Sequence, residues 1–180
     1  MKIKFLSTVF LLTVLFTSCS KDDDAGTPNT GSETETTILS YANVEFTFDD
    51  SARFFATSTG TMYRASKIDA DAAKIIDLVG DSGTDFIAFI SPSAEGATIP
   101  NGTKTKIQHT GVSMTVAQFD EIKDDSILKK LTVVDDNDSV SISSYKEKII
   151  LFENAAGKKG AIKMTAINSE RLKVDIKVMK

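Results

Sequence analysis

The sequence predicts an α+β domain, predominantly antiparallel β: a β-sandwich-like body with short connecting helices. Three observations predict it. Leu172, Val174, Ile176 and Val178 alternate with Lys173, Asp175, Lys177 and Met179, the period of two that leaves one face of a strand buried and the other wet. Strand-like runs at Val140 and Ile142, 148–152 and 160–166 precede it, with turn residues at 154–159 and 168–170. That spacing suits an antiparallel meander. Helix signals are few and short.

Taken in order, the chain opens with a segment that does not belong to the fold. Lys2 and Lys4 are followed by residues 5–16, a run of Phe, Leu, Val, Ser and Thr without a charge. As a helix that run would span about 18 Å, short of the ~30 Å hydrocarbon core. A charged start and a short apolar stretch read as a secretory signal covering 1–18. Residues 20–37 hold no large apolar side chain and are rich in Gly, Pro, Ser, Thr and acids. They cannot bury enough surface to offset ordering entropy, so 19–37 is expected to be a disordered tether. Its reach is about 24 Å.

Residues 38–180 are long enough for one domain with its own core. Val44, Phe46 and Phe48 alternate with Glu45 and Thr47, a first strand; 53–57 is a second, ending near a turn at Gly60. The apolar runs 74–79 and 85–90 flank Gly80-Asp81-Ser82-Gly83 and predict a hairpin. Pro92 and Pro100 bracket a loop, and 104–108 returns as a strand. A turn or two of helix is expected at 69–74. Thr115-Val116-Ala117-Gln118 fits a capping box, with Phe119 and Ile122 on one face. Asp125 or Ser126 caps a second short helix carrying Ile127, Leu128 and Leu131.

The only cysteine marks where the signal ends. Phe16-Thr17-Ser18-Cys19 resembles a bacterial lipobox, with Phe16 in place of the usual Leu. The resemblance implies cleavage before Cys19 and a diacylglyceryl thioether on its sulfur. A single thiol forms no disulfide within the chain and would be a liability in a secreted protein. Ser20, Lys21, Asp22, Asp23 and Asp24 are similar to the acidic tract behind the lipid-bearing cysteine of many Bacteroidota lipoproteins. There the tract is an export signal for the outer face of the outer membrane. The stretches FFATSTGTMYRASKIDADAAKIIDLVG, FIAFISP, TVAQFDEI and IILFENAAGKKGAIKM resemble uncharacterised Bacteroidota lipoproteins, a resemblance that bears on location and architecture only.

Few chemistries fit what remains. Residues 38–180 carry eighteen Lys and Arg against twenty Asp and Glu without a basic patch, which argues against nucleic acid. His109 is the sole histidine, so a Ser-His-Asp triad would need it, yet no serine sits in G-x-S-x-G. With one His and a lipidated Cys, a structural zinc site lacks ligands. Ser126-Ile127-Leu128-Lys129, Tyr41-Ala42-Asn43 and His109-Thr110-Gly111 resemble the three motifs of penicillin-recognising serine enzymes, but in the wrong order. Asp135-Asp136-Asn137-Asp138-Ser139 begins like a calcium loop, but Val140 stands where the turn glycine belongs and Lys146 where the bidentate Glu belongs; a polar turn before a strand fits better. Asp124 and Asp125 read as a solvated face. No Trp and three Tyr are few for stacking on sugars. Ser51, Ser126 and Ser139 each follow Asp in a pattern that resembles the Bacteroidota O-glycosylation sequon. No catalytic set, metal site or cofactor is expected. The expectation is a non-catalytic binding or adhesion module on the cell surface, held to the outer membrane by lipid on Cys19 and taking a glycan or protein ligand. The alternatives are a carboxylate-based enzyme acting on polysaccharide, or a structural subunit of an outer-membrane complex.

Overall fold

A computed structural model describes residues 36–180. The signal 1–18, Cys19 and the tract at 20–24 lie outside the described residues. From Ile38 the chain forms β1 (Ile38–Thr47), β2 (Phe54–Ala56), β3 (Thr61–Tyr63), α1 (Ala72–Ile75), β4 (Leu78–Gly80), β5 (Phe86–Ile87), β6 (Phe89–Ile90) and β7 (Lys106–Gln108). Then come α2 (Val116–Glu121), α3 (Ser126–Lys129), β8 (Val140–Ser141), β9 (Ile149–Glu153), β10 (Lys159–Ile167) and β11 (Arg171–Met179). One sheet has the order β1-β11-β10-β9-β7, a second β3-β2-β4-β6, and β5 pairs with β8 alone. Every pairing is antiparallel. The expected α+β, sandwich-like architecture is the one found.

Alternation decides how the layers stack. Leu172, Val174, Ile176 and Val178 of β11 join Ile150, Phe152 and Ile162 against Phe55, Leu78 and Phe89 of the smaller sheet. Phe46 sits between, its ring 6.0 Å from that of Phe55 and 5.0 Å from that of Phe89, both edge to face. Ile149, Leu151 and Ala161 point the other way and are covered by Phe119 of α2 and Leu128 of α3. The far face of the smaller sheet, Phe54 and Val79, is covered by Ala72, Ala73 and Ile76. Two sheets thus lie between two layers of short helices and loops.

The capping box forms as the spacing predicts: Gln118 N donates to Thr115 Oγ1 (3.2 Å) and Thr115 N to Gln118 Oε1 (2.9 Å). Three stretches differ from the sequence expectation. The run 74–79 is a strand only from Leu78, because Ala72–Ile75 is a turn of helix. The hairpin partner of β4 is β6, since Phe86 and Ile87 leave that pairing to face Ser141 and Val140. Ile142 opens a 3-10 helix over Ile142–Glu147 instead of extending a strand.

Candidate functional site

β7 is an edge strand of the larger sheet, and an edge leaves a row of unpaired N–H and C=O groups. Residues 134–136 run beside it and pair with it through two side chains and one backbone bond. Ile107 N donates to Asp135 Oδ1 (3.1 Å), Val134 N to Gln108 Oε1 (3.1 Å), and Asp136 N to Ile107 O (2.9 Å). Asp136 then accepts from His109 N (2.8 Å), Thr110 N (2.9 Å) and the His109 ring at Nδ1 (2.8 Å). Burial alone would raise its pKa; the bonds from Thr110 N, the His109 ring and His109 N outweigh that and hold it below the usual carboxylate range.

His109 is fixed from both sides. Phe89 N donates to Nε2 (3.0 Å), so Nε2 carries the lone pair and Nδ1 carries the hydrogen that Asp136 accepts. The side chain is 2% exposed. One imidazole therefore ties β6 of the smaller sheet to β7 of the larger one and to the 134–136 segment. Neither ring nitrogen is free to act as a base toward a serine.

Two grooves flank this joint and share His109 and Ser139. One, about 380 Å³, is lined by Phe86, Phe89, Asp81 and residues 135–139. The other, about 420 Å³, is lined by Thr110, Ser113, Ser141, Ser144, Glu147 and Lys148 among others. Both have the size of small-ligand clefts. Among the described residues, Phe86 (40%) and Val134 (57%) are the large apolar side chains left exposed, and Phe86 lies in the first groove. Its ring packs on Gly83, where a Cβ would come within 2.7 Å of it.

The residues singled out in the sequence fall on separate elements. Ser51 is exposed in the β1–β2 turn and donates to Asp49 Oδ1 (2.5 Å). Ser126 is exposed at the start of α3, and Ser139 is half-buried between the two grooves. Lys129 pairs with Asp125 (2.7 Å), Tyr41 donates to Thr57 O (2.7 Å), and Asn43 sits in a left-handed bulge with φ of 56°. The serine-enzyme look-alikes thus sit on different elements, each with a structural partner or role. The calcium-like loop turns two of its carboxylates, Asp135 and Asp136, onto backbone amides. Among the described residues no group of three His, Cys, Asp or Glu side chains could hold a metal ion.

Sequence reasoning missed a buried carboxylate, Asp77. Asp77 accepts from Thr57 N (2.9 Å) and from the Thr57 hydroxyl. Burial pushes its pKa up, against the pull of those bonds and of Asn154. Tyr41 is raised too, by burial first and then by the Asp77 charge. Thr57 and Asp77 stand twenty positions apart, and no motif between them would have linked them.

The fold and grooves define a helix-flanked antiparallel β-sandwich with clefts along one sheet edge. That fold is similar to the crystal structure of a DUF4466 family protein from Parabacteroides merdae, a member of the Bacteroidota. The TM-score is 0.59 and the identity 17%, over 81% of this chain and 54% of that one. The chain thus spans about half the length of that protein, and the likeness is one of fold. No family model and no curated protein matches the sequence.

Proposed function

We propose that this chain is a lipid-anchored Bacteroidota envelope protein that displays the sandwich as a non-catalytic binding or adhesion module. Cys19 carries the lipid, Ser20 to Asp24 form the export signal to the outer face of the outer membrane, and the grooved side meets a glycan or protein ligand. The observation that carries the binding reading is the engagement of His109, Asp135 and Asp136 by backbone amides. A catalytic site needs a base free to meet substrate, whereas these groups build the wall of a cleft whose open feature is the Phe86 ring. Ser51, Ser126 and Ser139 are the proposed O-glycan acceptors; intact mass of the native protein would reveal each added glycan, and a bare polypeptide mass would remove that part.

Protease shaving of intact cells, blotted for the 38–180 domain beside a periplasmic control, tests the location. Digestion with the control intact is the expected result, and protection would favour a periplasm-facing subunit. Cys19→Ala is expected to move the protein from the membrane to the soluble fraction.

A further inference from the structure

We infer that His109 is an acid-sensitive latch: a proton on its ring releases β6 and opens the grooved side of the sandwich. The geometry requires an asymmetric response. In the neutral ring Nε2 accepts from Phe89 N at 3.0 Å and Nδ1 donates to Asp136 at 2.8 Å. A proton added to Nε2 would set two N–H groups against each other across that 3.0 Å, which ends the bond to Phe89. On the opposite side the same proton turns a neutral hydrogen bond into a charge-assisted one with Asp136. The imidazolium therefore stays with the 134–136 segment and lets β6 go.

Phe89 is held by its ring in the core beside Phe46, but the backbone bonds to β6 are few. That strand is two residues long and meets β4 only at Val79↔Ile90 and Gly80↔Phe89. The chain before it is tied by Asp81 N to Ala88 O (3.0 Å) and Ala88 N to Ser82 Oγ (3.2 Å), short-range bonds within the same loop. Phe89, Ile107, His109 and Asp136 all line the first groove, so movement of β6 changes that groove first.

Charged groups face the joint from both grooves. Asp136 touches the ring, and Asp135, Asp138 and Asp81, which follows β4, also line the first groove. Glu147 and Lys148 line the second groove, and residues 110–115 bring no charge. Regulation of ligand binding by this latch rests on the grooved side being the binding face; the opening itself does not.

The sole histidine makes the test direct. In the full chain carrying Cys19→Ala, solubilised in detergent, labelled histidine gives one set of ring nitrogen signals. These report tautomer and charge while hydrogen exchange follows the Phe89 amide. The expected result is the Nδ1–H tautomer at neutral pH. Ring protonation should coincide with a fall of about tenfold in Phe89 protection, while Ile162 and Val174 in the central strands keep theirs. A soluble paramagnetic probe should reach Ile107 in the same step, and His109→Gln should abolish the step. The latch is overturned by the other tautomer, by ring protonation with Phe89 protection unchanged, or by global unfolding before the ring titrates. Since no ligand enters the experiment, a failed search for a binding partner would leave these readouts untouched.

Discussion

Lys177 shows how much one polar side chain organises. Its stem crosses the face of the large sheet, and its Nζ donates to Phe119 O (3.0 Å), Asp120 O (3.2 Å) and Ile122 O (2.8 Å), the last carbonyls of α2 and the residue after it. A helix end leaves such carbonyls without partners, and a cation there also suits the helix dipole. Lys163 and Lys177 both lie over the Phe119 ring, at 5.2 and 5.0 Å. Lys177→Met keeps the stem and removes the bonds; a loss of about 1.5–3 kcal/mol is expected, read as a lower urea midpoint with an unchanged slope. Two carboxylates should give stability opposite pH slopes. Asp77, with its pKa raised by burial, holds a proton in the native state that the unfolded chain has released, so its contribution falls as pH rises from the ordinary carboxylate value through the native one. Asp136, with its pKa lowered, contributes above the ordinary value, and that share is lost as pH falls through its native value. Urea titrations from acid to neutral pH should therefore show Asp77→Asn removing a decline on the rising side. Asp136→Asn should lose about 2–3 kcal/mol at neutral pH and flatten the loss on the acid side.

At the scale of elements, two bulges keep the strands in register with their burial. In β1, Leu39 and Tyr41 pack inward, and so do Val44 and Phe46. Odd positions change to even because the pairing with β11 shifts between Tyr41 and Val44, with Asn43 in the left-handed conformation. In β10 the shift between Met164 and Ala166 brings Ile167 inward after Ile162 and Met164. Glycines near the β9–β10 turn test close approach against strain. At Gly160 a Cβ would meet Phe152 Cζ at 2.2 Å and Lys177 O at 2.8 Å, whereas at Gly157 it meets nothing within 4 Å, although φ is 73°. Gly160→Ala should cost about 1–3 kcal/mol by overpacking, and Gly157→Ala about 1–2 kcal/mol through the left-handed backbone; thermal melts of the two variants would check the order. These elements also explain what the sequence discloses. The meander β9–β10–β11 was legible because regular alternation carries burial directly, and α2 because Thr115 and Gln118 stand at capping-box spacing. The start of β1 was not, since a bulge breaks the period of two. The split of 85–90 was not, since a continuous apolar run hides Phe86 among buried neighbours. His109 and Asp136 meet across 27 residues, a separation that no local pattern encodes.

At the scale of the molecule, the described ends of the chain meet on one side of the fold. Lys180 N donates to Thr37 O (3.0 Å), and Asp125 N donates to Thr37 Oγ1 (3.0 Å). Thr37 thus joins the end of β11 to the α2–α3 region just before Ile38 enters the core layer under those helices. If Cys19 is anchored as proposed, any pull from the membrane arrives at Thr37 and Ile38. It is then carried into β1, whose register runs from Ile38↔Met179 to Thr47↔Arg171. The same arrangement fixes where stability begins. A chain starting at residue 36 should fold with the full stability of the domain. Starting at residue 38 removes the two Thr37 bonds and should lower it by about 1–2 kcal/mol. Starting at residue 39 also empties the place of buried Ile38 and should lower it by a further 2–4 kcal/mol or so. Urea titration of the three chains would show this as stepwise falling midpoints. Equal midpoints would mean that Thr37 and Ile38 only rest on the sandwich, and that the load enters further along β1.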